Sequence, residues 1–353
     1  MFQLRKYLWL LICLLPIIGN AQNRSQTRAH ETILQQVTPT AGHLLHGVFP
    51  GGKTGEEDDL TPLDVDIYEN TVGRRVSWVY FSNNWYRDHA FPVKTAKWIR
   101  ARGATPYVRL MLRSSPEQDR REPLFTVAAI AHGDFDADIT AWARGAARFK
   151  TPIIAEYGTE MNGEWFPWNG KWSGRKKGAA LFVLAYQRII DLSRAAGADN
   201  LIWVFHANKW DGPDRRWNRM ENYYPGDAYI DWLAVSIYSA QTPYTDENYP
   251  FAKSLALTMG RFAQMAPDKP VVIAEFGTDV RNPREPAAPW ADKALTTILS
   301  GQYPQLIGFS WWNETWPNGD VPARATDLRV QSNPALTAVF RRHMRNKRIT
   351  RIR

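Results

Sequence analysis

The stretch TPIIAEYG, residues 151–158, decides the fold class, because seven other short runs of the same kind occur along the chain. Each run is rich in β-branched, aliphatic and aromatic residues, and a longer stretch separates it from the next. Such runs predict buried β-strands. The other seven are HLLHGVF (43–49), RVSWVYF (75–81), TPYVRLML (105–112), NLIWVFHA (200–207), IDWLAVSIY (230–238), KPVVIAEFG (269–277) and QLIGFSWW (305–312).

Amphipathic segments between these runs predict helices. Examples are VKTAKWIRARG (93–103), ADITAWARGAARFK (137–150) and ALFVLAYQRIIDLSRAAG (180–197), and several end in basic residues and Gly, a usual helix stop. Eight strands that alternate with helices favour α/β architecture as a single-domain (β/α)8 TIM barrel. The alternative is an open doubly wound sheet, which usually has fewer strands and a Gly-rich phosphate turn after the first strand.

The first residues predict a signal peptide over 1–21. Two basic residues precede an apolar run from Tyr7 to Ile18, and small residues lead to Ala21, where we expect cleavage. A retained membrane anchor is the alternative. Cys13, the only cysteine, lies inside this segment, so the mature chain has no disulfide and no cysteine-ligated metal. We therefore expect a secreted or periplasmic protein with one domain over 22–340 and no membrane-spanning segment after cleavage.

The chain carries a net charge of +9, and much of it lies in a basic tail over residues 341–353. This segment holds seven Lys or Arg and no acid. One interpretation is a frayed, solvated terminus; the other is an electrostatic anchor to an anionic surface or polymer. Nothing in the sequence resembles a nucleic-acid-binding fold, so no nucleic-acid partner is expected.

Two glutamates follow apolar strands and lie next to Gly-containing turns. Glu160 occurs in IIAEYGTEMNG after the fourth strand, and Glu275 occurs in VVIAEFGT on the seventh. Active sites of (β/α)8 barrels lie at the carboxyl ends of the strands, so both side chains are expected at one rim, on either side of a bound substrate. The alternative is that either glutamate forms only a buried ion pair.

Paired carboxylates at this position suit a retaining glycosidase. One carboxylate attacks the anomeric carbon, and the other, kept protonated by an apolar wall, protonates the leaving oxygen and then activates water. Sugar rings stack on tryptophan through their C–H faces. We therefore expect Trp165 and Trp168 to be sugar platforms and Asn162 to bind a sugar hydroxyl.

At this point the sequence resembles glycoside hydrolase family 26. The segment EMNGEWFPW (160–168) is similar to the acid/base motif of that family, and PVVIAEFGT (270–278) is similar to its nucleophile strand. Further similarity lies in GDFDADITAWARGAARFKTPI (133–153), YYPGDAYIDWLAVSIY (223–238) and GFSWWNE (308–314), so that the resemblance covers about residues 43–335.

The resemblance implies endo-acting hydrolysis of a β-linked polysaccharide with retention of configuration. It implies Glu160 as acid/base, Glu275 as nucleophile and Tyr238 as the tyrosine that contacts the nucleophile. The aromatic end of the eighth strand makes Trp311 and Trp312 further candidate platforms. β-Mannan is the commonest substrate of the family, and mixed-linkage β-glucan and β-1,3-xylan are minority substrates.

One departure from the family concerns substrate choice. The family usually has His immediately before the acid/base Glu, whereas this chain has Thr159, which is shorter and carries no charge.

Glu156, in phase with Glu160, is expected deeper in the barrel, paired with Arg109 in a structural role. His206 and Trp85, at strand ends, are candidate substrate contacts, the alternative for Trp85 being packing between loops.

A match to the phosphate-binding pattern G-x-x-x-x-G-K-T is discounted. GVFPGGKT (47–54) fits the letters, but four acidic residues and Pro62 follow, where the motif needs a helix that cradles phosphate. His43 and His46 point to opposite faces of a strand and predict no metal pair. We expect no metal and no cofactor.

Three rival functions stay open from the sequence. The chain could be a hydrolase or lyase for an exported exopolysaccharide, a non-catalytic glycan-binding barrel, or a nucleotide-dependent enzyme that uses Lys53. The partner expected in the first two cases is a polysaccharide, bound by a monomer.

Overall fold

The structure is a computed structural model that describes residues 28–245 and 249–351. Eight parallel strands follow one another around a sheet, and β1 also pairs with β8, from Leu45 beside Gly308 to Phe49 beside Trp312. This second pairing closes the sheet, so the predicted (β/α)8 barrel is confirmed. The strands are β1 (Leu44–Phe49), β2 (Trp78–Asn84), β3 (Thr105–Met111), β4 (Ile153–Tyr157), β5 (Leu201–Asn208), β6 (Trp232–Tyr238), β7 (Val271–Gly277) and β8 (Leu306–Trp312).

Helices cover the outside of the barrel, and their buried faces follow the helical period. In the helix Asp136–Phe149, for example, Ile139, Trp142, Ala143 and Ala146 are buried at spacings of three or four, which gives one apolar face. The helices are α1 (Pro62–Val72), α2 (Val93–Ala101), α3 (Val127–His132), α4 (Asp136–Phe149), α5 (Lys176–Ala195), α6 (Phe251–Met265), α7 (Ala287–Leu299) and α8 (Pro334–His343).

Seven of the eight strands begin and end within two residues of their predicted bounds, and β2 does not. The prediction placed this strand at 75–81, but it runs over Trp78–Asn84. Its last three residues pair in register with Arg109, Leu110 and Met111 of β3. Backbone pairing therefore continues through polar residues that hydrophobicity alone assigned to the following loop.

A large tryptophan fills the interior of the barrel near its amino-terminal end. Trp78 is fully buried, and a Cβ atom at Gly47 or Gly308 would lie 2.1 Å or 2.5 Å from its ring. Two neighbouring strands therefore carry glycine where the indole passes. The layers above it, toward the carboxyl ends of the strands, are increasingly polar and lead to the candidate site.

The basic segment after residue 340 is part of the fold as far as Arg351, so the frayed terminus is wrong for residues 341–351. Ile349 and Thr350 form a short strand that pairs with the start of β1. Arg348 donates to the carbonyl oxygens of Gly42 (2.8 Å) and Leu299 (2.7 Å). Backbone pairing and guanidinium contacts with carbonyl groups hold this segment against the base of the barrel.

The predicted signal peptide, including Cys13, lies outside the described residues. Within the described ranges, no helix is both long and apolar enough to cross a bilayer.

Candidate active site

A cavity of about 730 Å³ opens at the carboxyl ends of the strands, and both Glu160 and Glu275 line it. The two residues therefore face one space, as the barrel predicts for side chains that follow β4 and β7. Two other cavities, of about 450 and 540 Å³, lie among basic residues and contain neither glutamate. The residues that line the large cavity are Thr54, Gly55, Glu57, Arg109, Gln118, Glu160, Trp165, Phe166, Asn208, Lys209, Trp210, Tyr238, Ser239, Gln241, Glu275, Trp312, Glu314 and Trp316.

Glu275 is held by hydrogen bonds to both of its carboxylate oxygens. The Tyr238 hydroxyl donates to Oε2 at 2.8 Å, and Arg109 Nη1 donates to Oε1 at 3.3 Å. The expected contact between Tyr238 and Glu275 is therefore present. Burial raises the pKa of Glu275 to about 7, against the positive charge of Arg109, and the negative charge of Glu160 adds to the rise.

Glu160 lies in the turn after β4, with its backbone in the left-handed region at a φ of 49°. Its backbone N–H donates to the carbonyl of His206 at 2.8 Å, and its carbonyl accepts from Gly163 at 2.7 Å. These bonds fix a conformation that is costly for a residue with a side chain. The Trp165 indole N–H donates to Glu160 Oε2 at 2.8 Å, so the ring and the carboxylate are positioned together.

The two carboxylates share one cavity and interact with each other. The strands that carry them are not neighbours, they line one cavity, and the charge of one is felt by the other. This interaction adds to the rise in the pKa of Glu275, and double displacement requires Glu275 to be ionised when it attacks.

Beneath the cavity lies a buried polar cluster centred on Glu156. Its carboxylate accepts the Tyr107 hydroxyl at 2.6 Å and the hydroxyls of Tyr80 and Thr159, and His206 Nδ1 lies 3.1 Å from both of its oxygens. The expected partner, Arg109, is not among these contacts, so that prediction is wrong. The β3 arginine reaches upward to the cavity instead, toward Glu275.

This cluster also explains the placement of two residues that the sequence singled out. Thr159 is fully buried and directs its hydroxyl toward Glu156, away from the cavity. His206 is buried between Glu156 and the Ser236 hydroxyl, which lies 2.8 Å from Nε2. His206 does not line the cavity, because both ring nitrogens have partners below the cavity floor.

The aromatic predictions divide into those at the cavity and those in the core. Trp165 and Trp312 line the cavity, whereas Trp168, Trp311 and Trp85 are buried elsewhere. The Trp168 ring stacks on Phe166 at 4.7 Å and donates to the Thr159 carbonyl, and Trp311 donates to the carbonyl of Leu328. Trp85 stacks on His89 at 4.7 Å. These three side chains therefore do not line the cavity, where the sequence analysis expected them.

Asn162, the expected contact to a sugar hydroxyl, does not line the cavity either. It is fully buried, and its amide nitrogen lies 3.0 Å from the carbonyls of Asn208 and Trp210 and from Asp211 Oδ1. Its side-chain oxygen accepts the Asn208 N–H at 2.8 Å. Asn162 therefore clamps the loop after β4 to the loop after β5, and through this clamp it supports the turn that carries Glu160.

Several cavity residues were missed by the sequence analysis. Arg109 was expected in a structural pair, and Lys209 and Glu314 were not considered. A signal was available for Glu314, which follows the two tryptophans of β8 by two residues. Burial raises the pKa of Glu314 to about 7, and its Oε2 accepts the Trp312 indole N–H at 3.0 Å.

The loop that matched the phosphate-binding pattern has a different role. Asp59 accepts the backbone N–H groups of Lys53 and Thr54, each at 3.0 Å, so a carboxylate of this chain occupies the donors that would cradle phosphate. The next helix, α1, begins only at Pro62. In the described part of the chain no group of three or more acidic, His or Cys side chains is arranged to hold a metal ion.

A closed (β/α)8 barrel with paired glutamates after strands four and seven defines the class as a glycosidase-type barrel. Residues 127–282 match the sequence model of Glycosyl hydrolase family 26. The matched segment is less than half of the chain and contains both Glu160 and Glu275.

Known relatives match longer parts of the chain. Endoglucanase H of Acetivibrio thermocellus is 26% identical over 280 residues, which are 78% of this chain and 28% of that protein. The mannan endo-1,4-beta-mannosidase of Bacillus subtilis strain 168 is 26% identical over 168 residues, 47% of this chain and 40% of the relative. The chain thus spans less than half of the length of either protein.

Solved structures show the same fold. The catalytic domain of the family 26 endo-beta-1,4-mannanase of Bacillus sp. JAMB-750 superimposes with a TM-score of 0.64. The alignment covers 92% of this chain and 91% of that one at 16% identity. The agreement extends across nearly the whole barrel, which is therefore shared although few residues are identical.

Proposed function

We propose that the protein hydrolyses internal β-linkages of a neutral polysaccharide, with β-1,4-mannan as the first substrate, and retains the anomeric configuration. The observation that carries the proposal is the position of Glu160 and Glu275 on one cavity, at the ends of β4 and β7. The mannan-cleaving relatives support the choice of polymer. The endo mode is taken from the family resemblance.

In the proposed reaction, Glu275 attacks the anomeric carbon while Glu160 gives its proton to the departing glycosidic oxygen. A covalent glycosyl ester forms on Glu275. Glu160, now ionised, takes a proton from water, the water oxygen attacks the same carbon, and the carboxylate of Glu275 leaves. The hydrogen bonds from Tyr238 and Arg109 stabilise this carboxylate before attack and when it leaves.

The charge of the cavity favours a neutral polymer over an acidic exopolysaccharide. Four carboxylates line the cavity, and only two cationic side chains, Arg109 and Lys209, accompany them. An anionic sugar would meet this acidic wall. Trp165, Trp312 and the partly exposed Trp210 offer ring faces and edges that suit uncharged sugars.

The second candidate substrate is a β-glucan. Of the relatives described above, the longest similarity is to an endoglucanase and covers 78% of this chain. Thr159 also removes the histidine that the resemblance places beside the acid/base glutamate. Reducing-end release should therefore be measured on β-mannan, mixed-linkage β-glucan and β-1,3-xylan in parallel.

We further propose that the mature protein begins after Ala21, is exported and acts as a monomer. The cavity is complete within one chain, which supports action as a monomer. Sequencing of the mature amino terminus tests the cleavage site, and light scattering of the purified protein tests the monomeric state. A retained leader or an obligate dimer would contradict them.

Glu160→Gln and Glu275→Gln should each lower kcat by a factor of about 10³ or more on the cleaved polymer, because each removes one half of the double displacement. An aryl glycoside whose leaving group needs no proton separates the two roles. With it, Glu160→Gln should still release the aryl group in a burst, and Glu275→Gln should not.

Glu164→Gln is the matched control, because Glu164 lies in the same loop, is only partly buried and pairs with Lys171 at 2.6 Å. It should retain the activity of the unchanged protein. Nuclear magnetic resonance of the first product should show the β-anomer. Equal activity of all three variants would contradict the catalytic assignment, whereas glycan binding without hydrolysis in the unchanged protein and in all three variants would favour a glycan-binding barrel.

A further inference from the structure

The four consecutive acids of the first βα loop, Glu56–Asp59, are not a solvated charge run. Three of them bind the ends of β2 and β3 or the residues that follow β2, and the fourth binds the loop's own backbone. The contacts are Glu56 with the Tyr86 hydroxyl, Glu57 with Ser82 and Arg109, Asp58 with Asn84 and Arg87, and Asp59 with the N–H groups of Lys53 and Thr54. The acids therefore fasten this loop beside the cavity.

Glu57 is the one acid of this run that lines the cavity. Its backbone is in the left-handed region at a φ of 63°, and its carbonyl accepts the Ser82 N–H at 2.8 Å. The Ser82 hydroxyl donates to Glu57 Oε2 at 2.7 Å, and Arg109 Nη2 contacts the same oxygen. The turn and both bonds fix the direction of this carboxylate.

Arg109 consequently lies between two carboxylates. One terminal nitrogen contacts Glu57, and the other donates to Glu275 at 3.3 Å. The Nε atom donates to Ser82 at 3.1 Å, and the guanidinium carbon lies 5.3 Å from the centre of the Trp312 ring. The side chain is 3% exposed, so water screens these charges weakly.

We propose that Glu57 is a positioning residue that acts through Arg109: by sharing the guanidinium with Glu275, it sets how strongly the nucleophile is held in its ionised form. This inference rests on the proposed function, in which Glu275 is the nucleophile. Glu57 touches no reacting atom in this account. It supplies the counter-charge that keeps Arg109 from neutralising Glu275 completely.

Other groups also act on Glu275, and they are the same in the unchanged protein and in the Glu57→Gln variant. Titratable or charged groups face it from β2, β3, β5 and β6 and from the loops after β4 and β8. They are Tyr80, Tyr107, Arg109, Glu160, His206, Tyr238 and Glu314. Of these groups, only Arg109 has a contact with Glu57, so substitution of Glu57 changes the field at Glu275 chiefly through the guanidinium.

The proposal predicts opposite shifts from the two members of one ion pair. Without the charge of Glu57, Arg109 acts on Glu275 alone, so the pKa of Glu275 falls and the acid limb of kcat/KM moves to lower pH. Without Arg109 the pKa rises and the limb moves to higher pH. We expect about half a unit downward for Glu57→Gln and about one unit upward for Arg109→Met.

The test is the pH profile of kcat/KM on the polymer that the protein cleaves, for the unchanged protein and three variants. Asp58→Asn is the matched control, because Asp58 is the next residue of the same run and binds Arg87 at 2.7 Å, outside the cavity. It loosens the same loop without touching Arg109. Its acid limb should stay where it is in the unchanged protein.

Two outcomes would overturn the inference alone, provided that Glu275→Gln is inactive. They are an unshifted limb in Glu57→Gln, and equal shifts in Glu57→Gln and Asp58→Asn, which would mean that the loop acts only as a lid. Full activity of Glu275→Gln would overturn the proposed function and this inference with it. Thermal unfolding of each variant establishes that the compared proteins are folded.

Discussion

Carboxylate and histidine side chains lie in two layers in this barrel. Glu160 and Glu275 line the cavity, whereas Glu156 and His206 lie beneath it and stabilise the fold. Glu156 and His206 are both fully buried, and their contacts are with one another and with hydroxyl groups. Burial lowers the pKa of His206, but the charge and hydrogen bond of Glu156 outweigh it and leave the pKa above the ordinary 6.5. For Glu156, burial acts upward, and His206 with the neighbouring hydroxyls brings the pKa below 4.5.

These shifts give a defined dependence of stability on pH. The raised pKa of His206 stabilises the fold fully below pH 6.5, and this stability is lost as the pH rises through the folded value. The lowered pKa of Glu156 stabilises the fold above pH 4.5, and this contribution is lost as the pH falls through its folded value. The ion pair is therefore strongest in weakly acidic solution.

His206→Gln should lower the free energy of unfolding by about 3–5 kcal/mol at pH 6, because it leaves a buried carboxylate without its cation. The loss should shrink as the pH rises through the folded pKa of His206. Urea unfolding between pH 5.5 and 9 measures this, with the exposed His43→Gln as the control. A loss independent of pH would show that the imidazole serves as a neutral hydrogen-bonding group.

At the scale of elements, strands were predictable because burial on both faces leaves a continuous apolar run. The loops were not predictable, and Trp168 and Asn162 were misplaced there, although Trp311 in β8 and His206 in β5 were misplaced as well. Trp168 and Asn162 follow Glu160 closely in sequence, but the tight turn at Glu160 directs both into the core. Glu275 and Tyr238 were placed correctly because each lies inside a strand, where alternation fixes the direction of a side chain.

The short strand Ile349–Thr350 completes an unpaired part of the barrel. β2 pairs with β1 only at Gly47 and Val48, so the first residues of β1 have a free edge on that side. Leu44 and Leu45 pair there with the short strand, and Arg74 donates to the carbonyl of Met344 at 2.7 Å. The contact lies at the amino-terminal end of the strands, away from the cavity.

A chain that ends at Met344 should therefore lose stability and keep its catalytic rate. It loses the pairing with β1, the buried Ile349 and the carbonyl contacts of Arg348, and its unfolding midpoint should fall by about 5 °C. Differential scanning calorimetry measures the midpoint, and kcat/KM at 25 °C checks the site. Arg348→Met with Ile349→Ala is the milder variant, and a loss of kcat/KM in it would contradict the separation of base and cavity.

At the scale of the whole molecule, the cavity and the base of the barrel differ in charge. Four carboxylates and two cationic side chains line the cavity, while the base carries the basic segment, in which Arg345, Lys347 and Arg351 are exposed. A protein with this charge distribution and a net charge of +9 can approach an anionic surface with the base of its barrel foremost. The cavity then faces the solution, where a neutral polymer can enter.

The protein should consequently adsorb to an anionic matrix at low ionic strength and still hydrolyse a soluble neutral substrate. Salt should release it, because about 0.1 M already reduces the range of exposed charges to about 10 Å.

A triple variant, R345S with K347S and R351S, should elute at lower salt than the unchanged protein. The matched control removes three exposed basic residues near the cavity end, K176S with K177S and R215S. It should elute closer to the unchanged protein, because it leaves the basic residues at the base of the barrel in place. Equal elution of the two triple variants would show that net charge rather than its position governs the contact, and loss of activity on adsorption would show that the cavity does not face the solution.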